Sequence, residues 1–172
     1  MPATVKQIKD SFDVLYRNIL DSEFRNTYMM NQWNERDLLL CIRTFLLGWF
    51  GNVKPEHQTR KFSATGYADF LVDDVAVEVA VQPEGKPIGR LYYEQNKDEC
   101  IKLMQHKSAS ALVLLDFMQA PSLSLKRISR YRNPPSLGSG NWNTSGFSVL
   151  YYSMRDGAPT STRINVCRPS VY

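Results

Sequence analysis

Residues 69–82 read DFLVDDVAVEVAVQ, two short apolar-rich runs joined at Asp73 and Asp74. Branched apolar residues alternating on either side of a two-residue break are the pattern of a tight hairpin. With Asp73 and Asp74 as the central turn residues, Val72 faces Val75, Leu71 faces Ala76, Phe70 faces Val77 and Asp69 faces Glu78. The two carboxylates then form a direct cross-strand pair. Directly opposed side chains have Cβ atoms roughly 4.5–5.5 Å apart, and like charges at that separation repel. Something must offset the repulsion, and a divalent cation held between two carboxylate oxygens would do so. Side chains two apart share a face, so Ala80 and Gln82 extend the row that begins with Asp69 and Glu78, while Val75, Val77, Val79 and Val81 line the other face.

An Asp followed on the next strand by Glu-x-Lys, often with Gln two residues further on, is the signature of the PD-(D/E)xK nucleases. Residues 34–117 resemble that family. Asp69 matches the Asp, Glu78 the Glu and Gln82 the Gln, and Ala80 stands where the family has lysine. The resemblance implies an α/β (α+β) restriction-endonuclease-like core, a central mixed β-sheet flanked by helices. It also implies an endonuclease that hydrolyses phosphodiester bonds in nucleic acid, DNA favoured over RNA, with Mg²⁺ or Mn²⁺ as cofactor. Asp69, Glu78 and the Val79 carbonyl would hold the metal, helped by Glu35 on a preceding helix, and Gln82 would position water or phosphate. Glu35 has a second reading, as an acid in the first turn that complements the helix dipole. By analogy with relatives, a homodimer or a larger complex is also expected.

Ala80 leaves the motif cation to be found. Projecting residues 90–107 as a helix puts Tyr93, Cys100, Ile101 and Met104 on one face with Lys97 among them. Lys97 is therefore the candidate to carry the missing charge, against the reading of a lysine whose stem packs on apolar neighbours while its amine reaches water. Lys86, in the loop after Gln82, is a second candidate. Natural loss of catalysis, leaving a nuclease-fold module that binds nucleic acid or protein, and a lysine replaced by design at position 80 are the other readings.

The rest of the sequence bounds these expectations. At 172 residues, 43% hydrophobic and 22% charged, the chain suits a single domain with a core of its own. It divides into an N-terminal helix (1–33), the core (34–117) and a basic C-terminal extension (118–172). Residues 1–117 carry 14 basic and 16 acidic side chains, and residues 118–172 carry 7 and 1. Lys126, Arg127, Arg130 and Arg132 cluster around Tyr131, a composition suited to phosphate contacts and to stacking on a base, or equally to a solvated basic helix end. Charges at the N-terminus argue against a signal peptide, and no apolar run is long enough to span a bilayer. Three scattered cysteines, Cys41, Cys100 and Cys167, fit buried thiols in a reducing cytoplasm. Isolated His57 and His106 give a zinc site little support.

The coarse order of elements follows from periodicity. An amphipathic helix is expected over 5–31, and a largely buried second helix from an Asn34 cap to Gly51. A strand is expected near 53–62, then the hairpin, the helix of 90–107 and a buried strand at 110–117. A short helix around 123–132 and a final hairpin made from FSVLYYS and TRINVCR complete the reading.

Overall fold

A computed structural model describes residues 2–58, 67–86, 91–106, 108–118, 128–132, 146–154 and 161–165. Among these, six strands lie in sequence order in one mixed sheet: β1 (Val53–Gln58), β2 (Tyr67–Val72), β3 (Val75–Gln82), β4 (Ser110–Asp116), β5 (Ser148–Ser153) and β6 (Ser161–Asn165). The first three form an antiparallel meander, β3–β4 and β4–β5 are parallel, and β5–β6 is antiparallel. Parallel neighbours need a crossover. Helix α4 (Lys97–Gln105) supplies the one between β3 and β4. The coarse expectation of a mixed sheet flanked by helices therefore holds.

The hairpin has the expected register, with Val72 paired to Val75, Leu71 to Ala76 and Phe70 to Val77. Asp73 sits at φ 50°, in the left-handed region, which aspartate tolerates better than most residues. Its carboxylate also holds two other segments, accepting from the Ala3 backbone N–H at 2.8 Å and from the Asn52 side chain at 3.1 Å. The turn thus fastens the N-terminus and the start of β1 to the sheet.

Every residue of β3 and β4 is buried, as expected of central strands covered on both faces. The face bearing Val75, Val77, Val79 and Val81 packs with Val113 and Leu115 of β4 under α1 (Val5–Leu20) and α3 (Glu35–Phe50). The other face, with Ala76, Ala80, Leu112 and Leu114, packs under Cys100, Leu103 and Met104 of α4. Each large side chain so buried stabilises the fold by about 1.5–3 kcal/mol.

Three helical expectations need correction. The helix expected over 5–31 is broken at Asp21, which ends α1 and caps α2 (Ser22–Tyr28) by accepting from the Phe24 N–H at 2.8 Å. Aspartate satisfies the free N–H groups of a helix start better than it serves a helix interior. Helix α3 does begin at its Asn34 cap, with Asp37 closing a reciprocal capping pair, and stops at Gly51 at φ 73°. However, only Leu38, Ile42 and Leu46 are buried in it, and Leu40 and Trp49 are exposed. One helical stripe suffices to cover a sheet. Finally, α4 starts at Lys97 because residues 91–96 form turns, although Leu91 and Tyr93 are still buried there. No helix among the described residues is long and apolar enough to cross a membrane.

Asp73 couples backbone strain to two hydrogen bonds, which separates its substitutions. Asp73→Ala loses both bonds and keeps the strain, so it should lower stability by about 1–3 kcal/mol. Asp73→Gly relieves the strain and should cost less. Urea denaturation of both variants measures the difference.

Candidate functional site

The regular β2–β3 ladder ends at Phe70 and Val77. Continued by one alternation, it would pair the Val79 N–H with the backbone of residue 68; instead Val79 donates to Asp69 Oδ2 at 2.8 Å. Asp69 therefore serves as a rung of the sheet at the point where the strands part. Glu78, the next residue across, points to the α4 face and is 2% exposed. The printed pairs stop one short of Asp69 and Glu78, and the two carboxylates couple by charge across that gap, Asp69 helping to push the Glu78 carboxyl up.

The cation that balances them comes from a residue the sequence reading passed over. Lys102 Nζ lies 3.0 Å from Glu78 Oε1, with its own side chain 20% exposed. Lys97, the expected donor, is exposed at the first position of α4. Helical side chains lean toward the N-terminus, so the chain of Lys97 runs past the covered part of the sheet. Lys102 starts further along and lies over Glu78. Lys86 is also exposed, in the turn after β3. Glu99 precedes Lys102 by three residues on the same flank of α4, is half-buried, and has Oε2 buried without a hydrogen-bond partner. The spacing Glu99-x-x-Lys102 was the available signal, since residues three apart on a helix are neighbours.

Burial sets the electrostatics of this group. It pushes the Glu78 carboxyl up to about 8, and the nearby Asp69 adds to the shift while Lys102 opposes it. Burial also raises Asp69, against the Val79 N–H, the Glu78 carboxyl and the Lys102 charge, which favour its ionised form. For Lys102, burial disfavours the ammonium, but Glu78, Glu99 and Asp69 together outweigh it and hold the proton more tightly than usual. The Lys102 ammonium, 3.0 Å from Glu78 Oε1, is the positive charge set against this buried pair.

Ala80 is 3% exposed and belongs to the apolar cluster of Tyr93, Cys100, Leu103, Leu112 and Leu114. Gln82 is buried at the end of β3, where its side-chain amide donates to the Pro83 carbonyl at 3.3 Å. Alongside, the Asp116 carboxylate accepts from the Met118 N–H and the Tyr151 hydroxyl at 2.9 and 3.1 Å. Glu35 opens α3, which packs on the valine face. Among the described residues no group of three or more His, Cys, Asp or Glu side chains is arranged to hold a metal ion.

The basic segment is described only in part. Lys126 and Arg127 lie outside the described residues. Arg130 and Arg132 are exposed on a 3₁₀ turn (Ser129–Arg132), and Arg130 pairs with Glu94. Tyr131 between them is fully buried and meets Tyr93 edge-on, with ring centroids 5.7 Å apart. Its hydroxyl donates to the Leu91 carbonyl and accepts from the Asn96 side chain, both at 3.0 Å. A ring so enclosed does not stack on a base, which corrects the expectation for Tyr131. Its role is to fasten the basic turn beside the start of α4. Of the cysteines, Cys100 is buried and Cys41 half-buried, and both are free thiols; burial pushes the Cys100 thiol up and keeps it unreactive. Cys167 and the side chain of His57 lie outside the described set, and His106 meets the Asp74 carbonyl at 3.1 Å.

Comparison with family models, curated proteins and solved structures gives no match. The resemblance to the PD-(D/E)xK nucleases therefore rests on the motif residues themselves.

Glu78 also makes stability depend on pH. In the folded chain it keeps its proton up to about pH 8, against an ordinary value of 4.5. Between these the folded state binds more protons than the unfolded one. The contribution is fully present below the lower value and is lost as pH rises through the upper one, at up to about 1.4 kcal/mol per pH unit. Urea midpoints from pH 5 to pH 9 should fall for the native chain and fall less for Glu78→Gln. In the same assay Ala80→Lys should be destabilised by about 1–3 kcal/mol, because it adds bulk and charge to a packed cluster.

Proposed function

We propose that this protein is a metal-dependent nuclease of the PD-(D/E)xK type, acting on nucleic acid with DNA favoured, in which Lys102 from α4 takes the place that Ala80 leaves vacant. The observation that carries the reading is the Lys102 ammonium 3.0 Å from Glu78, beside the Asp69 carboxylate. Two motif acids on adjacent strands and one lysine reaching them form a charge set suited to phosphodiester hydrolysis, even though the lysine comes from another element.

Within this reading, Asp69 and Glu78 would hold Mg²⁺ or Mn²⁺, which when bound would supply Lewis-acid stabilisation of phosphate charge and an acidified water. Lys102, partly exposed, offers its ammonium to a phosphate oxygen as negative charge develops there. The Val79 N–H keeps Asp69 oriented. Gln82, near the end of the same strand, is the candidate to order water or phosphate at the rim. Arg132 and Arg130, with Lys126 and Arg127, are the candidates for backbone contacts that position the substrate without reading its sequence. A second reading, a nuclease-fold module that binds nucleic acid or a protein partner without cutting it, draws on the apolar surroundings of Ala80.

A cleavage assay with Mg²⁺ or Mn²⁺ on single- and double-stranded substrates separates the two. The native chain should cut, Asp69→Asn and Glu78→Gln should abolish cutting, Lys102→Met should lower it by about a hundredfold or more, and Lys97→Ala should leave it unchanged. Salt-dependent DNA binding without cleavage by the native chain would overturn the enzymatic reading in favour of the binding module.

A further inference from the structure

Three buried polar atoms on the α4 side of the sheet make no hydrogen bond among the described residues: Glu78 Oε1, Glu99 Oε2 and the Tyr93 hydroxyl. Tyr93 and Glu78 are each 2% exposed, so bulk solvent does not reach them. Native folds rarely leave such atoms unpaired, because each has given up water and received nothing in its place. The three are neighbours. Glu99 and Glu78 both act on the Cys100 thiol, which in turn acts on the Tyr93 hydroxyl, and Tyr93 and Cys100 share one apolar cluster with Ala80. Ala80, two residues from Glu78 on the same strand face, contributes only a methyl group there. The Lys102 ammonium, 3.0 Å from Glu78 Oε1, meets the charge of that oxygen but leaves all three atoms short of a hydrogen bond.

We propose that internal water lies between these groups, donating to Glu78 Oε1 and Glu99 Oε2 and pairing with the Tyr93 hydroxyl. Buried water typically makes about three hydrogen bonds to polar groups that have no other partner. Two carboxylate oxygens and a phenol offer the acceptors and the donor that this requires. A small organic cation would also suit the carboxylates, but it would stand beside the Lys102 ammonium at low dielectric. Water brings the same donors without the charge. Glu99 is half-buried, so one side of it borders solvent and gives the water a route of exchange. The crossover helix is then held over β3 by a water bridge as well as by the ion pair, and this face of the core is wet at its centre. Neither a metal ion nor nucleic acid takes part, so the bridge stands or falls apart from the nuclease activity.

The test is a double-variant cycle at neutral pH with Tyr93→Phe and Glu99→Leu, read as folding constants from urea denaturation. Tyr93→Phe keeps the ring and its packing and removes only the hydroxyl. With water satisfying that hydroxyl, the variant should lose about tenfold in folding constant. An orphaned hydroxyl would instead weaken the native chain, so an unchanged or larger constant overturns the proposal. In the Glu99→Leu background the loss from Tyr93→Phe should shrink several-fold, because the shared water has already lost a partner; an undiminished loss overturns the bridge. Magnetic relaxation dispersion of water gives a readout that does not depend on stability. The native chain should show long-lived internal water and the double variant less of it. Equal dispersion in the two, or none in the native chain, overturns the proposal.

Discussion

A carboxyl group in the middle of a fully buried strand is the constraint around which this sheet is organised. Glu78 pairs with β4 on one edge, stands where β2 parts from β3 on the other, and is 2% exposed, so its charge has to be met from within. The solution uses two elements distant in sequence. Asp69 stands beside it on β2 and Lys102 brings an ammonium down from α4. The crossover helix is thus held to the sheet by an ion pair as well as by Cys100, Leu103 and Met104. Removing one member of such a group leaves the others buried and unbalanced, which is costlier than the net gain the pair provides.

The two faces of the sheet divide the work. The valine face is a packing surface, closed by α1 and α3 through regularly spaced apolar side chains. The α4 face mixes small apolar residues, three acids and a lysine, and the alanines at 76 and 80 leave space for the helix to approach. Further along the strands, Asp116 and Tyr151 satisfy one another, so that the polar end of this face costs little. Tyr131 completes the cover by packing on Tyr93 and bonding to Leu91 and Asn96, and through it the exposed arginines are tied to a rigid support.

What could be read from the sequence was whatever a strict period determines. Two-residue alternation around Asp73-Asp74 reveals the hairpin and the face on which Ala80 lies. The Asn34 and Gly51 caps fixed α3, because cap chemistry is local. The break at Asp21 was missed because helical periodicity continues through it and only the cap competes. Lys102 was missed for a different reason: a helical projection gives angles around an axis and says nothing about depth along it. Lys97 had a suitable angle and the wrong position, whereas Lys102, off the centre of the apolar stripe, had the reach. Tyr131 was misjudged because basic neighbours suggested an exposed aromatic, and its burial depends on Tyr93 and Asn96, contacts that no local pattern encodes.

The bond from the Val79 N–H to Asp69 gives position 69 two separate duties, one electrostatic and one architectural. Only a short side chain with an acceptor oxygen can replace the missing rung, and asparagine does so without the charge. A lineage that no longer needed the charge here would therefore be free to drift to asparagine at 69, while larger or apolar residues would disturb the sheet itself. Asparagine there, beside an intact hairpin, would be the mark of a site that kept its rung and gave up its charge.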